Sequence, residues 1–217
     1  MDEVLRSPEG EIWYHGSPRR WEKLDLEAPK VAGSWSSYLG PHFAATKMTA
    51  ERFANGDLYG DWENPGQVVS ARLHARNAVR FENEDALEMH ALWVCWQSGV
   101  LDETAMLGVW GEDKEDEMEM FLQALVPLPD WSSLQALHAM MPDGVETWDL
   151  LRTEDMTGVY LASAVKLDLL RRGHDGLLYE NSIESEGDPD ECAVVWDEEQ
   201  IEVVGIEIPA LDPDLAS

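Results

Sequence analysis

The chain has 217 residues, of which 44% are hydrophobic, so it can bury the core of one domain or of one domain with a large insertion. Its 15 Lys and Arg residues stand against 44 Asp and Glu residues, which gives a formal net charge of −29 at pH 7. A surface this acidic repels nucleic-acid phosphates and anionic lipids, so we expect no direct binding to nucleic acid. The acidic composition has three alternative explanations: it attracts a basic protein partner, it imitates nucleic acid, or it only keeps the protein soluble.

The sequence carries no pattern for export or for membrane insertion. It holds no run of about 18 apolar residues, and its first residues lack the basic and apolar regions of a signal peptide. Cys95 and Cys192 are far apart and show no metal-ligand spacing, which fits a reducing compartment. We therefore predict a cytoplasmic protein with no bound metal and no contact with a membrane.

The first predicted element is a strand that begins with Ile12-Trp13-Tyr14-His15, because β-branched and aromatic residues favour buried strands. Gly16-Ser17-Pro18 then predicts a turn, since glycine allows unusual backbone angles and proline lacks a donor. This would place His15 at the end of a buried strand, where its ring can meet a ligand. A structural hydrogen bond from His15 is the alternative.

The stretch from residue 33 to residue 73 alternates between turns and short regular elements. Residues 33–41 predict a turn-rich cover, and residues 42–45 a short strand. Thr46 is a candidate N-cap for a helix whose apolar face contains Met48, Phe53 and two alanines. Residues 68–73 predict a further strand.

Helical spacing recurs from about residue 83 to residue 160, which predicts a helical insertion. His90 and His138 lie within its amphipathic patterns, and we interpret both as ordinary helix residues. A helix over residues 161–172 follows, stopped by Gly173. Three short strands, over residues 176–179, 193–196 and 201–206, complete the chain. Strands at both ends with helices between them predict an α+β fold.

Four separated segments occur in an order that is typical of one protein family. They are Tyr14-His15-Gly16-Ser17-Pro18, Gly40-Pro41-His42-Phe43-Ala44-Ala45, Gly173-His174-Asp175-Gly176-Leu177-Leu178-Tyr179-Glu180-Asn181, and Val194-Val195-Trp196-Asp197 with Gln200-Ile201. This order resembles the histidine-tyrosine-glutamate branch of the ADP-ribosyltransferase superfamily, in particular the small domains of phages and bacterial polyvalent proteins. The resemblance covers about residues 12–81 and 161–204 and leaves the helical middle outside.

The resemblance implies split antiparallel β-sheets around an NAD cleft, with NAD as co-substrate. His15 would hydrogen-bond a ribose hydroxyl, and the backbone of Gly16, followed by Ser17, would pair with the nicotinamide amide. Only a residue without Cβ lets a ligand approach the main chain so closely. His42 stands where the family's tyrosine stacks on nicotinamide, and Phe43 would support the pocket floor.

Two basic residues follow the first motif. Arg19 and Arg20 are candidates for the pyrophosphate, because so acidic a chain needs local positive charge to hold a dianionic ligand.

Three carboxylates are candidates for the catalytic acid that stabilises the oxocarbenium-like centre. Glu184 follows Asn181 by three residues, as in the phage-like pattern. Alignment on the strand at residues 194–197 instead places the acid at Cys192, one position from Glu191, which a bulge would bring into place. Glu186 is the third candidate, and a solvated acidic loop is the alternative for residues 184–191.

The primary functional hypothesis is a mono-ADP-ribosyltransferase that splits NAD and modifies a basic protein acceptor. The phage-like resemblance implies, by analogy, a role as a phage or bacterial effector or counter-defence protein. NAD hydrolysis, with water as acceptor, is a variant that the residues do not separate. The alternative is a catalytically degenerate acidic module that sequesters a basic or nucleic-acid-binding protein, and a structural phage component is a third option. The enzyme hypothesis requires His15 and Glu184 to converge on one cleft.

Overall fold

A computed structural model describes residues 4–8, 10–18, 20, 35–55, 66–110, 114–125, 140–141, 158–181 and 189–209 of the chain. Its strands are β1 Trp13–Ser17, β2 His42–Ala44, β3 Gln67–Leu73, β4 Ala78–Arg80, β5 Gly176–Asn181, β6 Asp190–Val195 and β7 Ile201–Glu207. Its α-helices are α1 Lys47–Asn55, α2 Glu84–Gln97, α3 Glu103–Trp110, α4 Glu115–Leu125 and α5 Gly158–Arg171. Single 3-10 turns cover Ser36–Tyr38 and Glu198–Gln200.

The seven described strands form one sheet in the order β4-β5-β6-β2-β1-β3-β7. All neighbours run antiparallel except β4 and β5, which are parallel. The α+β class expected from the sequence is confirmed. The described sheet is, however, mixed rather than purely antiparallel, because β4 and β5 pair in parallel. The sequence did not predict β4, whose partner lies about 100 residues further along the chain.

The junction between β1 and β2 is the narrowest in the sheet. β1 pairs with β3 along all five of its residues, but its register with β2 is the single pair Tyr14↔Ala44. The sheet therefore consists of a four-stranded half, β4-β5-β6-β2, and a three-stranded half, β1-β3-β7, that meet over a short length.

Side chains of the sheet alternate between two buried layers. On one face, residues of α2 to α5 share a core with the sheet residues Val79, Leu177, Tyr179, Cys192 and Val194. On the same face, α1 packs against Tyr14 and Val68.

The opposite face is a second apolar layer: Trp13, Phe43, Ala45, Ala71, Leu73, Leu178, Ala193 and Val195. Residues near the N-terminus close part of it, since the indole Nε1 of Trp13 donates to the carbonyl of Leu5 at 3.0 Å. No described helix is long and apolar enough to cross a membrane.

The predicted helices and most strands are confirmed in the described part of the chain, with one correction in β1. Gly16 and Ser17 do not form a turn that ends the strand; they continue it, pairing with Val68 and Gln67. His15 therefore lies in the middle of β1, because β3 offers partners along its whole length. The residues expected to cover the sheet are also packed, since Trp35 and Leu39 are buried in the helical core.

Helix α5 ends where the sequence predicts. Gly173 has φ +88°, a left-handed conformation that suits glycine, and its N–H donates to the carbonyl of Leu170 at 3.0 Å. The chain then enters β5, so this stop sets where the following motif begins.

His90 of α2 is fully buried where α2 meets α5. Its ring stacks on Trp93 with centroids 5.8 Å apart, and its Nε2 lies 3.3 Å from Oδ2 of Asp168. The same oxygen accepts from Nε of Arg172 at 2.7 Å. Burial lowers the pKa of His90, and Asp168 only partly offsets that effect. Burial alone would raise the pKa of Asp168, but bonds from His90 and Arg172 outweigh it and lower that pKa.

We expect His90 to make the fold sensitive to mild acid. Since its folded pKa lies below the unfolded value, its stabilising effect is complete above about pH 6.5 and is lost as the pH falls below that value. The loss should reach about 1.4 kcal/mol per pH unit until the folded pKa is passed. His90→Gln does not titrate, so denaturant unfolding across about pH 5 to 7 should show a flatter curve for the variant. Parallel curves would contradict this assignment.

Candidate functional site

His15 connects the two halves of the sheet. Its Nδ1 lies 2.8 Å from the carbonyl oxygen of His42, and its ring centroid lies 5.5 Å from that of Phe43. A carbonyl oxygen only accepts, so Nδ1 carries the proton and donates. In the neutral ring Nε2 is then the acceptor nitrogen, the type of atom that can receive a hydroxyl proton.

His42 has both ring nitrogens in hydrogen bonds. Nε2 donates to the carbonyl oxygen of Ser36 at 2.8 Å, so in the neutral ring Nδ1 accepts. The partner of Nδ1 is the hydroxyl of Tyr179, also at 2.8 Å, and the two rings meet edge to face. Because His42 is opposite Val194, which is buried in the helical core, its ring lies on the helical face of the sheet and not on the face of His15, where the expected nicotinamide site would require it.

Gly16 is required by packing rather than by a ligand. A Cβ at this position would lie 1.9 Å from the carbonyl oxygen of Ala50 and 2.7 Å from Cβ of Phe53, both in α1. The space that glycine leaves open is therefore filled by the helix. The close approach expected for NAD is taken, on that side, by the protein itself.

Glu191 projects from β6 onto the face opposite the helices, because it alternates with Cys192, which is buried in the helical core. Its Oε1 forms an ion pair with Nη1 of Arg80 from β4. Its side chain is 11% exposed and that of Arg80 60%. β6 keeps a regular register with β5 and β2, so the bulge that would bring Glu191 into the position of Cys192 is absent, and Glu191 lies on the face opposite to that of Cys192.

His15, Phe43 and Glu191 lie on the same face of the sheet. Phe43 is opposite Ala193 across β2 and β6, and Glu191 is two residues from Ala193 along β6. Two strand spacings of about 4.8 Å and one two-residue step of about 6.6 Å separate the Cα atoms of His15 and Glu191 by roughly 12 Å. Phe43 is fully buried between them, within the second apolar layer.

The structure describes only some of the remaining candidate site residues. Glu184, Glu186 and Arg19 lie outside the described residues, so their relation to His15 is not defined. Arg20 is exposed, and Ser17 is buried opposite Gln67, so its side chain faces the interior.

Sequence reasoning did not identify Arg80 or the role of the Tyr179 hydroxyl. Tyr179 lies within a recognised motif, but its partner His42 is 137 positions away, a separation that no local pattern encodes. Arg80 alternates with the buried Val79 and Phe81, which would have indicated an exposed cation on a short strand.

Among the described residues, no group of three or more His, Cys, Asp or Glu side chains is placed to hold a metal ion. Comparison of the chain with protein-family models, with curated proteins and with solved structures found no match.

The hydrogen bonds predict opposite tautomers for the two histidines. His15 should carry its proton on Nδ1 and His42 on Nε2, because each of these nitrogens faces a carbonyl oxygen. Nitrogen NMR of the labelled imidazoles near neutral pH should distinguish them, with Tyr179→Phe altering the His42 signals and leaving those of His15 in place. The same tautomer in both rings would exclude this network.

Gly16→Ala should destabilise the fold by about 2 kcal/mol or more, because the new methyl group overlaps backbone atoms of α1. Gly205→Ala in β7 is the matched control, since its Cβ would meet only Cβ of Ser70 at 3.9 Å. Chemical denaturation of both variants measures the difference. Similar stabilities would mean that α1 does not press on β1 as described.

Proposed function

We propose that the chain is a mono-ADP-ribosyltransferase that cleaves NAD at the nicotinamide glycosidic bond and transfers ADP-ribose to a basic protein acceptor. The observation that carries this proposal is that His15 and Glu191 project from one face of the sheet with the buried ring of Phe43 between them. The motif order that resembles the ADP-ribosyltransferase superfamily pointed directly to His15, and it pointed to Glu191 as the neighbour of the aligned position, Cys192.

The reaction breaks the bond between C1′ of the nicotinamide ribose and the pyridinium nitrogen. The electron pair leaves with nicotinamide, which becomes neutral, and C1′ acquires oxocarbenium character. A carboxylate on this face would stabilise that charge and orient the acceptor. Glu191 supplies it among the described residues, and Glu184 remains an equal candidate.

His15 suits the ribose end of NAD. The neutral His15 ring, with Nδ1 donating to His42, has an acceptor at Nε2 for a ribose hydroxyl. His42 does not share the face of His15, because its side chain lies on the helical side of the sheet with Val194 and Tyr179. The short junction between β1 and β2 is compatible with a sheet that splits around a cleft.

The acceptor in this proposal is a protein with a basic surface. The net charge of −29 attracts basic proteins and repels nucleic acid, so it favours a basic protein over a nucleic acid as the acceptor. A cytoplasmic location fits Cys95 and Cys192, which are buried and form no disulfide.

A second candidate function is an acidic binding module without catalysis. Two observations favour it: the carboxylate of Glu191 is already paired with Arg80, and both nitrogens of His42 are engaged within the fold. In that case the acidic surface would sequester a basic, nucleic-acid-binding protein by presenting carboxylates in place of phosphates.

The test is incubation of the purified protein with labelled NAD and a host lysate. We expect one labelled protein band, and loss of labelling by at least about 100-fold in Glu191→Gln if its carboxylate stabilises the transition state. Glu180→Gln is the matched control, because Glu180 is opposite Glu191 across β5 and β6 and is exposed. Glu184→Gln tests the other acid.

His15→Ala should lose labelling, and its stability must be measured beside it because His15 also bonds to His42. Free nicotinamide without a labelled band would identify hydrolysis in place of transfer. No turnover together with no NAD binding by calorimetry would refute the enzyme and leave the acidic binding module.

A further inference from the structure

β7 is an edge strand with an unusual composition for its position. It pairs with β3 on one side, and in the described part of the chain no strand pairs with its other side. Val203, Val204, Ile206 and the adjoining Ile208 are each between 42% and 55% exposed. Long apolar edges are the ones that accept another strand, and proteins usually shorten or charge them. The opposite edge strand, β4, is only three residues long.

The two faces of β7 differ in chemistry. Val203 is opposite Ala71 and Ile206 is opposite Val69, so both point to the face that carries His15. The register shift that separates these pairs leaves Val204 between them.

Glu202 and Glu207 belong to the other face. Glu202 contacts Arg72 at 3.0 Å, and Glu207 contacts Lys47 of α1 at 2.6 Å. Oε2 of Glu202 also lies 3.4 Å from Nε2 of His74. Both glutamate side chains are about half exposed, and a carboxylate has roughly four acceptor sites, so each can accept a further cation on its solvent side.

We propose that the outer edge of β7 binds an extended basic segment of a partner protein as an added β-strand. Main-chain hydrogen bonds would supply affinity, as in other cases of strand addition, and alternate side chains would supply specificity. Small apolar side chains of the segment would lie beside Val203 and Ile206, and its Lys or Arg side chains would reach Glu202 and Glu207. The proposal does not depend on NAD chemistry.

Charge decides between this occupant and a second copy of the chain. Two copies would bring together surfaces that each carry a net charge of −29, whereas a basic segment is attracted by the same field. The complementarity is local as well, since Glu202 and Glu207 lie near the two ends of the strand on one face and Val203 and Ile206 lie between them on the other.

The first measurement uses a capped eight-residue peptide of alternating Val and Lys as the probe. Calorimetry should detect saturable binding that weakens several-fold when salt is raised from about 0.1 M to 0.5 M, because the glutamate contacts are exposed. Hydrogen exchange should show that peptide binding protects amides of β7 and leaves those of β4 unchanged. A control peptide with proline at its centre cannot complete the ladder and should bind at least about tenfold more weakly.

Two variants test the two faces of the strand. Glu202→Gln combined with Glu207→Gln should weaken binding about fivefold, since each exposed ion pair contributes about a twofold to fivefold factor. Ile206→Lys should weaken it further by placing a cation against the basic peptide. Leu167→Lys on α5 is the matched control, because Leu167 is as exposed as Ile206 and lies on another element.

Equal binding of the alternating and proline-containing peptides would overturn the proposal, because it would mean nonspecific attraction. Binding without protection of β7 would do the same. If sedimentation shows that the protein self-associates without peptide, and hydrogen exchange shows that association protects β7, the occupant is a second copy of the chain and the proposal is wrong. None of these results depends on turnover of NAD, so failure of the proposed function would leave this test unaffected.

Discussion

The short contact between β1 and β2 is the constraint on which the rest of this structure depends. One backbone pair, Tyr14↔Ala44, joins the two halves of the sheet, and the bond from His15 to the carbonyl of His42 crosses the same junction. The ring of Phe43 packs against His15 beside that bond. The candidate ribose-binding histidine is therefore also a structural tie, and any ligand that recruits its ring acts where the sheet is held together over the shortest length.

Cations are scarce in this chain, and several are used as local ties between elements. In the described residues, four ion pairs join different strands, or a helix to a strand, or successive turns of α5: Arg80–Glu191, Arg72–Glu202, Lys47–Glu207 and Arg172–Asp168. Most of these side chains are substantially exposed, so each pair contributes little to stability. Their shared feature is placement, since each sets a cation beside a carboxylate within a strongly negative field.

Local patterns predicted the elements well because periodicity is a local property. The helices over residues 84–125 and 158–171 and the strands flanking them follow from apolar spacing and from Gly173. β4 was missed because three residues carry no periodicity and its partner is remote in sequence. From the sequence alone, Gly16 is interpreted as a position where a ligand approaches the main chain. In the structure, glycine is required there because helix α1 places the carbonyl oxygen of Ala50 against it, a contact that no local pattern reveals.

The face on which a strand residue lies depends on parity, and parity decides much of what this site can do. A shift of one position separates Glu191 from Cys192, yet it moves the side chain from the helical core to the face of His15. The same parity puts Val203 and Ile206 of β7 on that face, through Ala71 and Val69 of β3. Three interstrand spacings, about 14 Å, separate β1 from a strand added beside β7. Glu191 lies two strands beyond β1, so about 24 Å separate it from that added strand. A basic segment held at the edge would therefore be anchored beside the sheet without itself reaching the candidate acid.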